Sequence, residues 1–171
     1  VPLIIYDPRM PREKVGTLDE SFTLNVDLAE TILGAAGIKP DELMQGRDIS
    51  DLYLPNEKDE RHATESVEVE PWREDFFYEF PSPDEIFIPP STALVTKKWK
   101  FINWPLHNNN REQLFNLEED PLEMNDLYND TSVKPIMDKL RERHDELRTQ
   151  LHNTSYGLRD PLCASFLNSL K

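Results

Sequence analysis

The densest group of side chains that could do chemistry in this chain is a run of carboxylates. Five fall within nine residues: Glu118, Glu119, Asp120, Glu123 and Asp126. Carboxylates at short spacing suit calcium, but no glycine stands where an EF-hand loop turns. Asp120-Pro121-x-Glu123 instead has the pattern of a helix N-terminus, in which Asp120 accepts from the N–H of Glu123 and Glu123 reaches back. We therefore predict that a strand, a turn and a helix start here, and that the carboxylates cap the helix.

Histidine and cysteine, the other residues that commonly bind metals or attack substrates, show no such spacing. The four histidines are His62, His107, His144 and His152. Only the last two are close, eight residues apart on one predicted helix, where we expect structural roles. The single cysteine, Cys163, permits no internal disulfide. We predict no metal site and no catalytic group in this segment.

Three residues near predicted strand ends could contact a ligand. Glu79, Trp104 and His107 stand beside loops rich in proline or asparagine. An aromatic ring, a carboxylate and an imidazole can together hold a sugar by stacking and hydrogen bonds, which makes these residues substrate-pocket candidates. The alternative, which the sequence favours, is that Trp104 packs in the core while Glu79 and His107 are solvated. Both interpretations stay open at this point.

The elements that must position these residues form a small sheet and a helix. Four segments rich in aromatic and branched residues predict antiparallel strands at 76–80, 92–96, 99–104 and 113–117, with Lys97 and Lys98 as a hairpin turn. Apolar residues then recur at helical spacing: Ile136, Leu140, Leu147 and Leu151. This pattern predicts one long helix across one face of the sheet. Residues 158–171 suggest a further short docked helix.

The first third of the chain has a different pattern. Residues 1–6, VPLIIY, form a continuous apolar run that is typical of a strand buried in a parallel sheet. Apolar residues at helical spacing follow: Leu28, Ala29, Ile32, Leu33 and Ala36. They predict a core-facing helix with Asn25 as its N-cap and Gly37 as its stop. We expect a domain boundary near residue 55, giving domains at 1–55 and 56–171.

Composition excludes some classes of partner. Nineteen basic and thirty-three acidic residues give a net charge of -14, which disfavours nucleic acid and anionic membranes. No apolar run approaches the roughly 20 residues that a spanning helix needs. The chain begins at Val1 without a methionine or a signal peptide, so we expect it to be part of a longer protein. An unpaired strand at Val1 to Tyr6 would invite self-association.

Five motifs, taken in order, resemble the C-terminal third of the type I sulfatases. They are VPLIIYDP at 1–8, VDLAETILGAAGI at 26–38, QGRDI at 45–49, ALVTKKWKFI at 93–102 and EQLFNLEEDPLEMNDL at 112–127. The resemblance implies an α+β chain that holds the tail of an alkaline-phosphatase-like α/β domain. A four-stranded antiparallel sheet packed against a long helix would follow.

The resemblance also implies a chemistry whose groups lie elsewhere. Type I sulfatases hydrolyse sulfate esters with a formylglycine, made from Cys or Ser in a C/S-x-P/A-x-R motif, beside a divalent metal, usually calcium. Cys163 is followed by Ala-Ser-Phe, so that motif is absent here. The resemblance implies a sulfated small molecule or glycan as substrate, and a periplasmic, secreted or lysosomal location.

Three hypotheses follow. The first is the C-terminal part of a sulfatase, inactive alone but lining the substrate pocket. The second keeps the fold in a related phosphodiesterase or phosphonate hydrolase, which residues upstream of Val1 would decide. The third is a non-catalytic acidic interaction module that starts near Val1.

Overall fold

The computed structural model describes residues 2–54, 71–80, 89–105 and 111–153, with the backbone alone at 152 and 153. The chain divides into two compact units, Val1–Arg73 and Glu74–Lys171. The first holds helix α1, Asp27–Ala35, and a short 3-10 helix, Ile49–Leu52. The second holds four strands: β1 (Asp75–Phe80), β2 (Ser91–Thr96), β3 (Trp99–Trp104) and β4 (Arg111–Asn116). A 3-10 turn (Thr131–Val133) then leads into helix α2 (Lys134–Asn153).

The sheet of the second unit is a simple antiparallel meander in the order β1-β2-β3-β4. All four predicted strands and the turn at Lys97 and Lys98 are confirmed, with bounds that differ by two residues at most. The predicted long helix is also confirmed. Short strands with alternating aromatic and branched residues favour this arrangement because each needs one buried face.

The core of the second unit lies between the sheet and α2. Leu94, Phe101 and Leu114 stand side by side across β2, β3 and β4 and are fully buried. Met137 and Leu140 of α2 pack on them. The apolar stripe of the helix therefore meets the apolar face of the sheet, which is what the two periodicities predict.

Helix α1 begins and ends close to the predicted residues, but its apolar stripe is not buried. Gly37 has φ +69°, the left-handed conformation typical of a helix stop. The prediction that Asn25 caps the helix is wrong, because Val26 holds the cap position and no side chain caps it. Leu28 and Ile32 are exposed. The helix contacts the 3-10 helix Ile49–Leu52, but most of its apolar stripe stays exposed.

The strand predicted at residues 1–6 is not formed in the part that the structure describes. Residues 2–6 have no regular secondary structure, and the Ile4 side chain is 93% exposed. A parallel strand needs neighbours on both sides to satisfy its backbone, and no described strand lies beside it. Self-association through Val1, Tyr6 and the residues between them stays a prediction.

The helix start predicted at Asp120 is wrong. Residues 120–130 form turns, and Glu123 has φ 55°, outside the helical region. Asp120 accepts a hydrogen bond from the N–H of Asn125 at 2.8 Å, while Glu123 turns outward to Lys100 at 2.8 and 3.0 Å. The ion pair and the left-handed turn replace the capping bonds, and the helix begins eleven residues after Glu123, at Lys134.

The short helix predicted at 158–171, the stretch that contains Cys163, lies outside the described residues. Across the helices that the structure does describe, none is both long and apolar enough to span a membrane.

Candidate functional site

Two of the three pocket candidates lie at the same end of the sheet. Strands β1 and β3 both run antiparallel to β2, so their C-terminal residues lie at the same end of the sheet. Glu79 is the second-to-last residue of β1, and Trp104 is the last residue of β3. His107 lies outside the described residues.

The sheet separates the side chains of Glu79 and Trp104. Glu79 pairs with Thr92, whose hydroxyl lies 2.9 Å from Nε2 of His144 on α2, so Glu79 is on the face that α2 covers. Thr92 pairs with Asn103, and side chains alternate along a strand, so Trp104 is on the opposite face. The two residues lie at the same end of the sheet, but their side chains are on opposite faces.

A polar array surrounds Trp104 on its own face. The indole Nε1–H of Trp104 donates to Oε1 of Gln113 at 2.8 Å, and Nε2 of Gln113 donates to Asp126 at 3.2 Å. Arg111 stands directly opposite Trp104 in the β3–β4 register. Its guanidinium lies 3.7 Å from the carboxylate of Asp126. We call these four residues, Trp104, Arg111, Gln113 and Asp126, the Trp104 array.

Asp126 is fixed to the free edge of β4. Its Oδ1 accepts from the N–H of Leu114 at 3.2 Å and from the N–H of Tyr128 at 3.0 Å. The next residue, Leu127, donates its N–H to the carbonyl of Leu114 at 2.8 Å. The segment thus occupies the backbone groups that an edge strand would otherwise present, and it holds the carboxylate beside the sheet.

Sequence analysis identified Trp104 but not the rest of the array. Arg111 and Gln113 are two apart on a strand and therefore share a face, which is a signal available from the sequence. Their position beside Trp104 depends on the β3–β4 register, which the alternation of residues alone does not fix. Asp126 was predicted to belong to an acidic helix start instead.

On the face of the sheet that α2 covers, the polar residue His144 is buried. His144 is fully buried, and its Nδ1 lies 3.0 Å from Asp145. The rings of Phe77 and Phe101 lie 5.2 and 5.4 Å from the imidazole ring. Burial lowers the pKa of His144, although the Asp145 carboxylate opposes that shift. His144 is a packed structural residue there, as predicted.

Arg141 ties α2 to the outer strand on the same face. Its guanidinium donates to both carboxylate oxygens of Glu112 at 2.9 and 2.7 Å and to Asp138 at 2.8 Å. These bonds raise the pKa of Arg141, the bond to Glu112 above all. Bidentate pairing of this kind fixes orientation as well as distance. Glu112 and Arg141 are therefore structural partners.

The described part of the first unit contains a buried charge that the sequence pattern does not reveal. Asp27 opens α1 and is fully buried. Its carboxylate accepts from both terminal nitrogens of Arg73 at 2.5 and 2.7 Å, and from the N–H groups of Leu24 and Arg47 at 2.6 and 2.9 Å. Burial raises the pKa of Asp27, but these hydrogen bonds outweigh it and the net shift is downward.

The Asp27 site joins three separate stretches of the unit. A side chain at Gly46 would collide with the backbone of Val26 and Asp27, so only glycine allows this close approach. Trp72 donates its indole N–H to the carbonyl of Phe22 at 2.9 Å beside Arg73. We interpret the Asp27 site as structural because both carboxylate oxygens already accept hydrogen bonds, from the Arg73 guanidinium and from backbone N–H groups.

Comparison with known proteins places the chain in a family. Residues 1–150 match the profile described as N-sulphoglucosamine sulphohydrolase, C-terminal. The chain belongs to this family of sulfatase C-terminal regions, which confirms the resemblance found in the sequence. It is 31% identical over 144 residues to an arylsulfatase of Clostridium perfringens, covering 83% of this chain and 26% of that protein.

Solved structures show the same fold. The phosphonate monoester hydrolase of Agrobacterium radiobacter matches with a TM-score of 0.61 at 20% identity, over 80% of this chain and 27% of that one. A protein solved with its substrate D-glucosamine-2-N,6-O-disulfate matches with a TM-score of 0.59 at 21% identity, over 81% and 25%. This chain therefore spans about a quarter of the length of the relatives it matches.

Proposed function

We propose that the polypeptide to which this chain belongs hydrolyses sulfate esters, and that this chain forms its C-terminal part. The observation that carries the proposal is the family match over residues 1–150. The identity to an arylsulfatase supports it. Residues 1–55 would then be the last strand and helix of the catalytic domain, and residues 56–171 the C-terminal subdomain.

The catalytic groups that sulfatases use do not fit the residues of this chain. Formylglycine needs a Cys or Ser in a C/S-x-P/A-x-R motif, and the 171 residues contain none. Calcium needs several oxygen ligands at one point, and no three His, Cys, Asp or Glu side chains of the described residues converge to hold a metal ion. We therefore derive no reaction step in this chain and expect it to be inactive alone.

The part that this chain can play is in binding substrate at the loop end of the sheet. Trp104 offers an aromatic ring whose N–H is already bonded to Gln113. An aromatic ring of this kind can stack on a sugar. Glu79 and His107 stay proposed pocket residues, although Glu79 lies on the opposite face of the sheet from Trp104. We propose a sulfated small molecule or glycan as the substrate class.

Hydrolysis of two esters by the full gene product tests this function. The full polypeptide should hydrolyse 4-nitrophenyl sulfate faster than a phenyl phosphonate monoester, and purified residues 1–171 should hydrolyse neither. The phosphonate ester is included because the chain shares its fold with a phosphonate monoester hydrolase. Faster turnover of the phosphonate would favour that chemistry, and sulfate hydrolysis by residues 1–171 would contradict the assignment of catalysis to another part.

A further inference from the structure

We propose that Arg111, standing beside Trp104, selects substrates that carry a second anionic group in addition to the sulfate that is hydrolysed. The inference rests on the proposed function and adds a specificity-determining residue to it. Trp104 would stack on the sugar ring, and the Arg111 guanidinium would bind a sulfate or carboxylate on that ring or the next one.

The Trp104 ring is held in one orientation by hydrogen bonds of fixed direction. An indole N–H can only donate, and an ionised carboxylate can only accept. Gln113 lies between them, so its amide must present Oε1 to Trp104 and Nε2 to Asp126, as observed. Asp126 is held in turn by two backbone N–H groups. A ring fixed before binding loses less entropy when a ligand arrives, so stacking contributes more to affinity.

Among the described residues, Arg111 is paired by charge with Asp126. A guanidinium nitrogen of Arg111 lies 3.7 Å from a carboxylate oxygen of Asp126, which is close enough for an ion pair but too far for a hydrogen bond. A guanidinium has five N–H donors in a planar fork, which suits an oxyanion that accepts hydrogen bonds through two of its oxygens. Its side chain is 48% exposed. Because Asp126 already accepts from Leu114, Tyr128 and Gln113, it would compete only weakly with an incoming anion for Arg111.

The two side chains are also close enough to act on one ligand. Trp104 and Arg111 are directly paired across β3 and β4, so their Cβ atoms are about 5 Å apart on the same face. Side chains that start this close on one face can both reach a single sugar residue and its substituents. In a chain of net charge -14, a single accessible cation at this position would also oppose the general repulsion of an anionic substrate.

The test compares glucosamine sulfated once with glucosamine-2-N,6-O-disulfate as substrates of the full gene product. Replacing Arg111 by Gln should lower the ratio of the kcat/KM values, disulfated over monosulfated, by roughly tenfold, because a charge-assisted bond is lost. The change should come mainly through KM. Arg111→Lys should restore part of the ratio. Gln113→Leu, which frees the indole, should lower kcat/KM for both sugars and leave the ratio unchanged.

Lys139→Gln is the matched control. It removes the same charge from an exposed residue of α2 and should change neither value. An unchanged ratio in Arg111→Gln, or an equal change in Lys139→Gln, would overturn the proposal. If the wild-type protein hydrolyses no sulfate ester, the proposed function fails, and calorimetric binding of the disulfated sugar to wild type and Arg111→Gln still decides whether Arg111 makes the contact.

Discussion

The two compact units of the chain are stabilised by different interactions. The sheet and α2 bury Leu94, Phe101 and Leu114 between them, so that unit supplies its own apolar core. Among the described residues of the first unit, those that are fully or almost fully buried are the charged Asp27 and Ile49, whereas Ile32 of α1 is 68% exposed. One unit relies on packing of a sheet against a helix, and the other on a buried ion pair that joins its loops.

The difference teaches how far amphipathic periodicity can be interpreted. Helices α1 and α2 both show an apolar stripe at helical spacing, but the stripe of α2 is buried against the sheet whereas Leu28 and Ile32 of α1 are exposed. A stripe predicts which face is apolar and carries no information on what covers it. The mutations below test whether each unit depends on the interactions assigned to it.

The largest effect is expected in the core of the second unit. Phe101→Ala should lower the free energy of unfolding by about 4 kcal/mol, because it removes a fully buried ring and leaves a cavity under α2. Urea denaturation followed by circular dichroism measures it. Leu122→Ala, at a residue that is 79% exposed, is the control and should cost less than about 0.5 kcal/mol. Equal losses in the two variants would contradict this core.

The next effect is expected at the ion pair of the first unit. Asp27→Asn keeps the shape of the side chain but leaves Arg73, whose side chain is 10% exposed, without its carboxylate. Breaking one partner of a buried pair costs about 3 kcal/mol. Hydrogen exchange of the α1 amides should accelerate while that of β2 and β3 stays unchanged. Asp7→Asn, which removes the carboxylate that pairs with the exposed Arg9, should leave exchange in α1 unchanged.

The Asp27 site also predicts a pH dependence that is confined to the first unit. The pKa of Asp27 is lowered in the folded chain. Its stabilisation is therefore complete above the unfolded pKa of about 3.9 and is lost as the pH falls through the folded value. The hydrogen-exchange rate of the α1 amides in the wild type should approach the rate in Asp27→Asn only in strongly acidic solution. A difference between wild type and variant that vanishes already near neutral pH would contradict a lowered pKa.

A smaller pH effect is expected in the second unit, in a higher pH range. Burial lowers the pKa of His144, so the unfolded chain binds its proton first as the pH falls below about 6.5. Stability should decline from there until the pH reaches the folded pKa, because the unfolded state holds more protons. His144→Gln keeps a partner for Thr92 and should flatten the decline between pH 7.5 and 5.5 in urea midpoints. An identical slope in the variant would assign the decline to other groups.

The sequence predicts the second unit well because each of its elements has a local signal. Alternation along residues 99–104 and helical spacing from Ile136 to Leu151 both depend on residues close in sequence. The Asp27–Arg73 pair spans 46 residues, and Trp104 meets Arg111 only through the strand register. Contacts of this kind depend on how distant segments meet, so sequence patterns identified Trp104 but not its neighbours.

The prediction that failed at Glu123 gives the finest test, through the sign of a small difference. As the N3 residue of a helix, Glu123 would be replaced by Ala at lower cost than by Gly, since Ala is favoured by about 1 kcal/mol within helices. At φ 55° the order reverses, because Gly adopts positive φ without strain whereas Ala does not. Both variants lose the ion pair to Lys100, which contributes about 1 kcal/mol at this half-buried position.

Glu123→Gly should therefore be about 1 kcal/mol more stable than Glu123→Ala in urea denaturation. Lys100→Met in each background is the control: it should destabilise wild type by about 1 kcal/mol and the two variants hardly at all, since their carboxylate is already gone. A more stable Ala variant would restore the helix start at Asp120. A more stable Gly variant would show that the Asp-Pro-x-Glu pattern here builds a left-handed turn, in which the glutamate pairs with a lysine of β3 instead of capping a helix.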